Sequence, residues 1–267
     1  MSQIPRDILS FWNEYPNEED DPSEKRNLQF YQNILRCQPD RLLIDELHER
    51  WKDKFDILEA KHGYIQWLFP IREYGMNYDS QPLQPHEIKE MRASEEVMQR
   101  ILRSYRLMLS FFGMTLLDEQ TGLLARSEDE ERCLSSGVPL RASRYRNLTV
   151  SHHNNLRISR ILKCLSEMGL EHLNAGFLLH VLYEQSSENQ LKDRHGYLQS
   201  SMDRWWANCI RNQEERDFIG MLIMRVRHGE LVFTREKYEE LLERRQRIGT
   251  FLWEEPGSER EEEVPEQ

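Results

Sequence analysis

The sequence predicts an all-α fold: a single multi-helix bundle of about ten helices, with at most a small hairpin near residues 115–125 and acidic, flexible ends. Three observations carry this. Apolar residues recur at helical spacing along most of the chain, alternating strand patterns are almost absent, and residues 94–113 hold a helix signature complete at both ends.

That signature is the strongest. Val97, Met98, Ile101, Leu102, Tyr105, Met108, Leu109 and Phe112 form one stripe, Ser94 suits the N-cap, Glu95 and Glu96 suit the positive end of the dipole, and Gly113 suits the left-handed C′ position. Upstream, Asp21-Pro22-Ser23-Glu24 reads as a cap, a first-position proline and a capping-box glutamate, opening a helix that carries Leu28, Tyr31, Ile34 and Leu35. Pro39 and Pro85 open helices over 42–51 and 86–91, and a further one spans 55–67. Leu116-Leu117 and Leu123-Leu124 flank a turn-rich segment and predict the hairpin. Helices follow over 127–133, with Glu130 completing a capping box, and over 155–168, with Leu156, Ile161, Leu162, Leu165 and Met168 on one side and Gly169 as the stop. The last four are expected over 173–184, 197–210, 214–227 and 235–247.

The charge is uneven. Residues 13–24 carry six acids and no base, residues 254–267 carry seven glutamates against Arg260, and each run contributes −6 to the formal charge of −11, leaving +1 for the remainder. This divides the chain into an acidic N-terminal extension (1–20), a helical domain (21–248) and an acidic disordered tail (249–267). A nearly neutral body has no footprint for a phosphate backbone, so nucleic acid is not an expected partner. No apolar run approaches the roughly 18 residues of a membrane span. Cys37, Cys133, Cys164 and Cys209 are widely spaced, and no signal peptide precedes them, so reduced thiols inside the cell are expected and the Asn147-Leu148-Thr149 sequon is read as chance.

The phosphate-binding, nucleophile-elbow and zinc-protease signatures are absent, so neither an enzyme nor a cofactor is expected. His152-His153 begins a helix with its rings diverging, and Glu59-x-x-His62 lacks the second copy a di-iron site needs, so no metal is expected. Arg244-Arg245-Gln246-Arg247 reads either as a signal for nuclear import factors or as a solvated face paired with Glu239, Glu240 and Glu243. Of Trp205-Trp206, one ring packs inward and the other sits at the core edge or a partner surface.

The most aromatic stretch, Tyr64 to Tyr78 (YIQWLFPIREYGMNY), contains Pro70 and Gly75. Pro70 stops the preceding helix near Phe69, the chain then runs extended, and Gly75 permits a turn. Tyr64, Trp67, Leu68, Phe69, Ile71, Met76 and Tyr78 must for the most part be buried, each worth about 1.5–3 kcal/mol. The segment is either a buried connector with Arg72 and Glu73 satisfied internally or the wall of an aromatic-recognising site.

YIQWLFPIRE followed by GMNY, with Ser104-Tyr105-x-Leu107-Met108-Leu109-x-Phe111-Phe112-Gly113 and His153-Asn154-Asn155-Leu156-Arg157-Ile158-x-Arg160-Ile161-Leu162-Lys163, resembles the conserved domain of the opioid growth factor receptor family. Asn27-Leu28-x-Phe30-Tyr31 and Leu116-x-Asp118-x-x-Thr121-Gly122 resemble its flanking elements. The likeness runs over about 24–185; after Gln185 a Phe-Val-Trp-Gly-Pro motif is only loosely echoed by Leu231-Val232-Phe233, and the repeat-bearing tail has no counterpart. The resemblance implies an intracellular, membrane-associated, non-enzymatic receptor for the pentapeptide Met-enkephalin, placed in the cytoplasm and the nucleus or perinuclear region, that restrains cell growth. Such a ligand needs a carboxylate for its ammonium near an aromatic wall, and Glu73 with Trp67, Arg72, Tyr74 and Tyr78 is the expected ligand-binding set. The alternative is a protein-interaction or scaffold module that binds no opioid peptide.

Overall fold

In the computed structural model, residues 4–127 and 140–251 are described. In chain order they form α1 (Arg6–Trp12), α2 (Arg26–Tyr31), α3 (Ile44–Trp51), α4 (Phe55–Ala60), α5 (Tyr64–Leu68), α6 (Pro85–Ala93), α7 (Glu95–Phe112), β1 (Met114–Asp118), β2 (Leu123–Arg126), α8 (Leu140–Val150), α9 (His153–Glu167), α10 (Glu171–Ser186), α11 (Tyr197–Arg204), a 3-10 turn (Trp206–Cys209), α12 (Gln213–Arg227) and α13 (Arg235–Ile248). The mostly helical expectation holds, with thirteen α-helices and one antiparallel hairpin among the described residues.

Helix α7 follows its sequence signature closely. Ser94 Oγ accepts from the Val97 N–H, Gly113 closes the helix at φ 82°, and Val97, Ile101, Tyr105, Met108 and Phe112 are buried. The predicted hairpin forms directly after it and lies against α10. Helix α10 is apolar nearly all round, from Leu173 through Leu182, and is correspondingly sunk in the core. Its contact with the hairpin is very close: a Cβ at Gly176 would stand 2.0 Å from the Gly122 carbonyl oxygen. Tyr238 of α13 clips both, its hydroxyl donating to Gly176 O (3.1 Å) and accepting from the Leu124 N–H (2.7 Å).

Several boundaries differ from expectation for local reasons. The helix expected from Asp21 begins at Arg26, because Asp21 Oδ1 instead accepts from the backbone and hydroxyl of Ser23 in a turn. It ends at Tyr31, leaving Ile34 69% exposed. The helix expected after Pro39 begins at Ile44, where Glu46 accepts from the Leu43 N–H. The 55–67 helix is broken in two at Lys61-His62-Gly63, where Arg157 captures the carbonyls that would have continued it. The 197–210 helix stops at Arg204 and continues as the 3-10 turn. Helix α1 and helix α8 were not foreseen; the helix expected over 127–133 and the acidic run 254–267 lie outside the described residues.

The N-terminal acidic run is not a loose flank. Ile8 and Phe11 of α1 and Tyr15 after it are buried, Arg72 donates to Glu14 O (2.6 Å) and Glu18 O (2.8 Å), and Asp20 pairs with His86 (2.7 Å). The backbone is pinned while Glu14, Glu18 and Glu19 project outward. Cys37, Cys164 and Cys209 are buried free thiols; Cys133 lies outside the described residues.

Two glycines test the packing. Gly220, on the outer side of α12, has nothing within 4 Å of a built Cβ. Gly176→Ala should lower stability by about 1–3 kcal/mol through overpacking, whereas Gly220→Ala should raise it by about 0.5–1 kcal/mol. Urea unfolding midpoints measure both; shifts of the same sign would contradict the contact between α10 and the hairpin.

Candidate functional site

Helix α9 determines where the site lies. Its residues Arg157, Arg160 and Lys163, spaced by three, form one basic stripe. Arg157, 4% exposed, donates to Leu58 O, Glu59 O and Lys61 O at 2.9, 3.3 and 2.7 Å, closing the C-terminal end of α4. Arg160 donates through Nε to Phe69 O (2.8 Å), just past α5 where Pro70 ends the helix. Lys163, 2% exposed, holds Glu73 (2.6 Å) and Asp7 of α1 (2.9 Å). Burial works against the ammonium, but Glu73 and Asp7 more than offset it, and its pKa is raised.

Drawing the 64–78 segment onto α9 leaves a groove of about 360 Å³ between them. Ile65, Ile71 and Met76 form one wall and Leu156 and Trp205 the other, with Asp7, Glu73 and Lys163 at one end. Leu156 and Met76 are 75% and 85% exposed, so the groove has an apolar, accessible lining. Two carboxylates and two cations meet at the charged end, Asp7 and Glu73 with Lys163 and Arg160: Glu73 Oε1 accepts from Lys163 and from the Tyr15 hydroxyl (2.8 Å), while Glu73 Oε2 and Asp7 Oδ1 take no hydrogen bond from the described residues. Burial and the neighbouring Glu73 charge push the Tyr15 phenol up, so it remains a neutral donor. A second recess of about 400 Å³ adjoins the first, sharing Leu156, Ser159 and Trp205. A wider depression of about 760 Å³ lies over α12, lined among others by Asp203, Arg216, Asp217 and Arg227; its Arg227 is paired to Asp203 and its Arg216 to the Ile210 and Arg211 carbonyls.

Of the sequence-derived ligand set, Glu73 alone lines the groove. Trp67 is core: 2% exposed, edge-on to Phe30 and bonded through Nε1 to Gln38 O, it offers no face to a solute. Arg72 turns away to the 14–18 backbone and covers the Tyr15 ring. Tyr74 and Tyr78 stand in solvent at 87% and 94% exposure, outside both recesses. Gly75 serves by close approach rather than by a positive φ: a Cβ there would lie 1.9 Å from Gln66 Oε1, which accepts from the Asn77 N–H and the Ser80 hydroxyl. Of the tryptophan pair, Trp206 is buried and Trp205 edges the groove. Asp7, Leu156, Arg160 and Lys163 were missed, although charges at positions 157, 160 and 163 inside an apolar helix were the available signal. Leu156, expected on the same side of its helix as Ile161 and Leu165, is exposed while those two are buried. Among the described residues no three histidine, cysteine or carboxylate groups assemble to hold a metal, and no helix is long and apolar enough to cross a membrane.

Fold and groove together define a mostly helical domain with a polar-ended apolar channel along one helix. The chain belongs to the opioid growth factor receptor family: the family model for the opioid growth factor receptor conserved region matches residues 20–237. It is 38% identical over 213 residues to the opioid growth factor receptor of Homo sapiens, covering 79% of this chain and 29% of that protein. It is 35% identical over 213 residues to opioid growth factor receptor-like protein 1 of Mus musculus, covering 79% of this chain and 42% of that one. The chain therefore spans well under half the length of these relatives. No solved structure matches. The family match reaches well past Gln185, where the motif resemblance thins, and it leaves out α1, which supplies Asp7.

Lys163→Met should cost about 1–3 kcal/mol in urea unfolding, because two partly exposed carboxylates lose their common cation. Amide hydrogen exchange over residues 6–18 should accelerate in the same variant. Unchanged exchange there would show that α1 is not held by Lys163.

Proposed function

We propose that this domain is a non-enzymatic receptor for a short peptide of the opioid class indicated by its relatives' name, with Met-enkephalin as the ligand and restraint of cell growth as the role. The observation that carries this reading is the channel along α9, where Glu73 Oε2 and Asp7 Oδ1 are left to accept from an ammonium and whose Met76, Leu156 and Trp205 lining suits aromatic side chains. An enkephalin offers both, through its amino terminus and its tyrosine and phenylalanine. The protein acts inside the cell, in the cytoplasm and the nucleus or perinuclear region; the three buried thiols support a reducing compartment. Import factors would meet the 244–247 cluster only in part, since Arg245 is held by Glu215 of α12 at 2.8 and 3.1 Å.

A second reading, a module for other proteins, has its own observation. Tyr74, Met76 and Tyr78 are 87%, 85% and 94% exposed on a loop pinned from behind by Gln66 and Asn77, which suits a partner surface.

Calorimetry separates the two. Met-enkephalin should give saturable heat with a micromolar or tighter Kd, Leu156→Glu should weaken it about tenfold or more, and Tyr78→Ser should leave it unchanged. Absence of heat would favour the module, and loss with Tyr78→Ser alone would move the site to the loop.

A further inference from the structure

We propose that the channel reads both termini of its peptide, with the amino terminus at Asp7 and Glu73 and the free C-terminal carboxylate at Arg204. This deepens the peptide-receptor reading and rests on it. The second recess shares Leu156, Ser159 and Trp205 with the first and is lined also by His152, Tyr197 and Arg204. Of the other cations lining the two recesses, Arg157 donates to the Leu58, Glu59 and Lys61 carbonyls, Arg160 donates through Nε to Phe69 O, and Lys163 holds Glu73 and Asp7. Arg204 has no carboxylate or carbonyl partner for its guanidinium among the described residues, and the neighbouring Asp203 is taken by Arg227 (2.9 Å). The guanidinium is nevertheless placed, stacked over the Trp205 ring at 4.8 Å. Tyr197, at the other end of α11, 51% exposed and edge-on to His152 at 4.6 Å, adds an aromatic face to the same recess.

The two recesses thus offer a pair of carboxylates in one and an unpartnered guanidinium in the other. A short peptide with both termini free can meet both, whereas an internal segment of a longer protein carries neither terminal charge.

The test is calorimetry of the whole protein with Tyr-Gly-Gly-Phe-Met as free acid, as C-terminal amide and as N-acetyl peptide, repeated on Arg204→Gln. The residue is exposed, so the variant should fold. Each blocked peptide should bind the native protein about tenfold more weakly, and Arg204→Gln should weaken the free acid by a similar factor while leaving the amide unaffected. Equal binding of acid and amide, or equal losses for both in Arg204→Gln, would overturn the two-ended assignment and leave the receptor reading standing. No binding of any form to the native protein would overturn both.

Discussion

The arrangement depends on three cations on one face of α9. Arg157, Arg160 and Lys163 reach across to a chain segment that has no regular structure to satisfy its own polar groups: the ends of α4 and α5, and the carboxylate of Glu73. A helix end leaves carbonyls without partners, and burying them unpaired is costly. Bonds from a guanidinium to such carbonyls are charge-assisted and stronger than neutral ones. With the carbonyls met, Tyr64, Trp67, Leu68, Phe69 and Ile71 can be buried beside them despite the break in the backbone at Gly63 and Pro70. The aromatic strip is thus a connector for its first half and a groove wall for its second.

The same stripe makes the groove. Arg157 spends its donors on the carbonyls at the end of α4 and Arg160 on Phe69 O, and the cleft left between strip and helix is lined by Ile65, Ile71, Met76 and Leu156 together with these cations and the Lys163 cluster. One end is built by Lys163 with Glu73 and Asp7. Asp7 belongs to α1, outside the residues matched by the family model. Tyr15 and Arg72 hold that N-terminal segment in place from the other side.

Legibility in the sequence followed how local the causes were. Helix α7, the hairpin and the start of α6 at Pro85 could be read directly, because stripe, cap and stop residues all sit within the element. The break in 55–67 could not, since it is made by Arg157 from about a hundred positions away in sequence. The start of α2 was misread because Asp21 satisfies Ser23 instead of a helix N-terminus. Helix α1 was hidden by the acidic residues that follow it, whose side chains are solvated while their backbone is tied down. For the site, the aromatic strip was visible as special, and Glu73 as its useful carboxylate. Which rings face out was not, because burial of Trp67 and exposure of Tyr74 and Tyr78 follow from the loop that Gln66 and Asn77 set, not from hydropathy.

The central claim is that the α9 stripe, rather than the strip's own hydrophobicity, holds residues 64–78 in place. Hydrogen exchange on Arg160→Met tests it most directly. The account predicts that amides over 64–78 lose protection together while those of α7 and α10 keep theirs. Unchanged protection over 64–78, or an even loss across the whole chain, would contradict it.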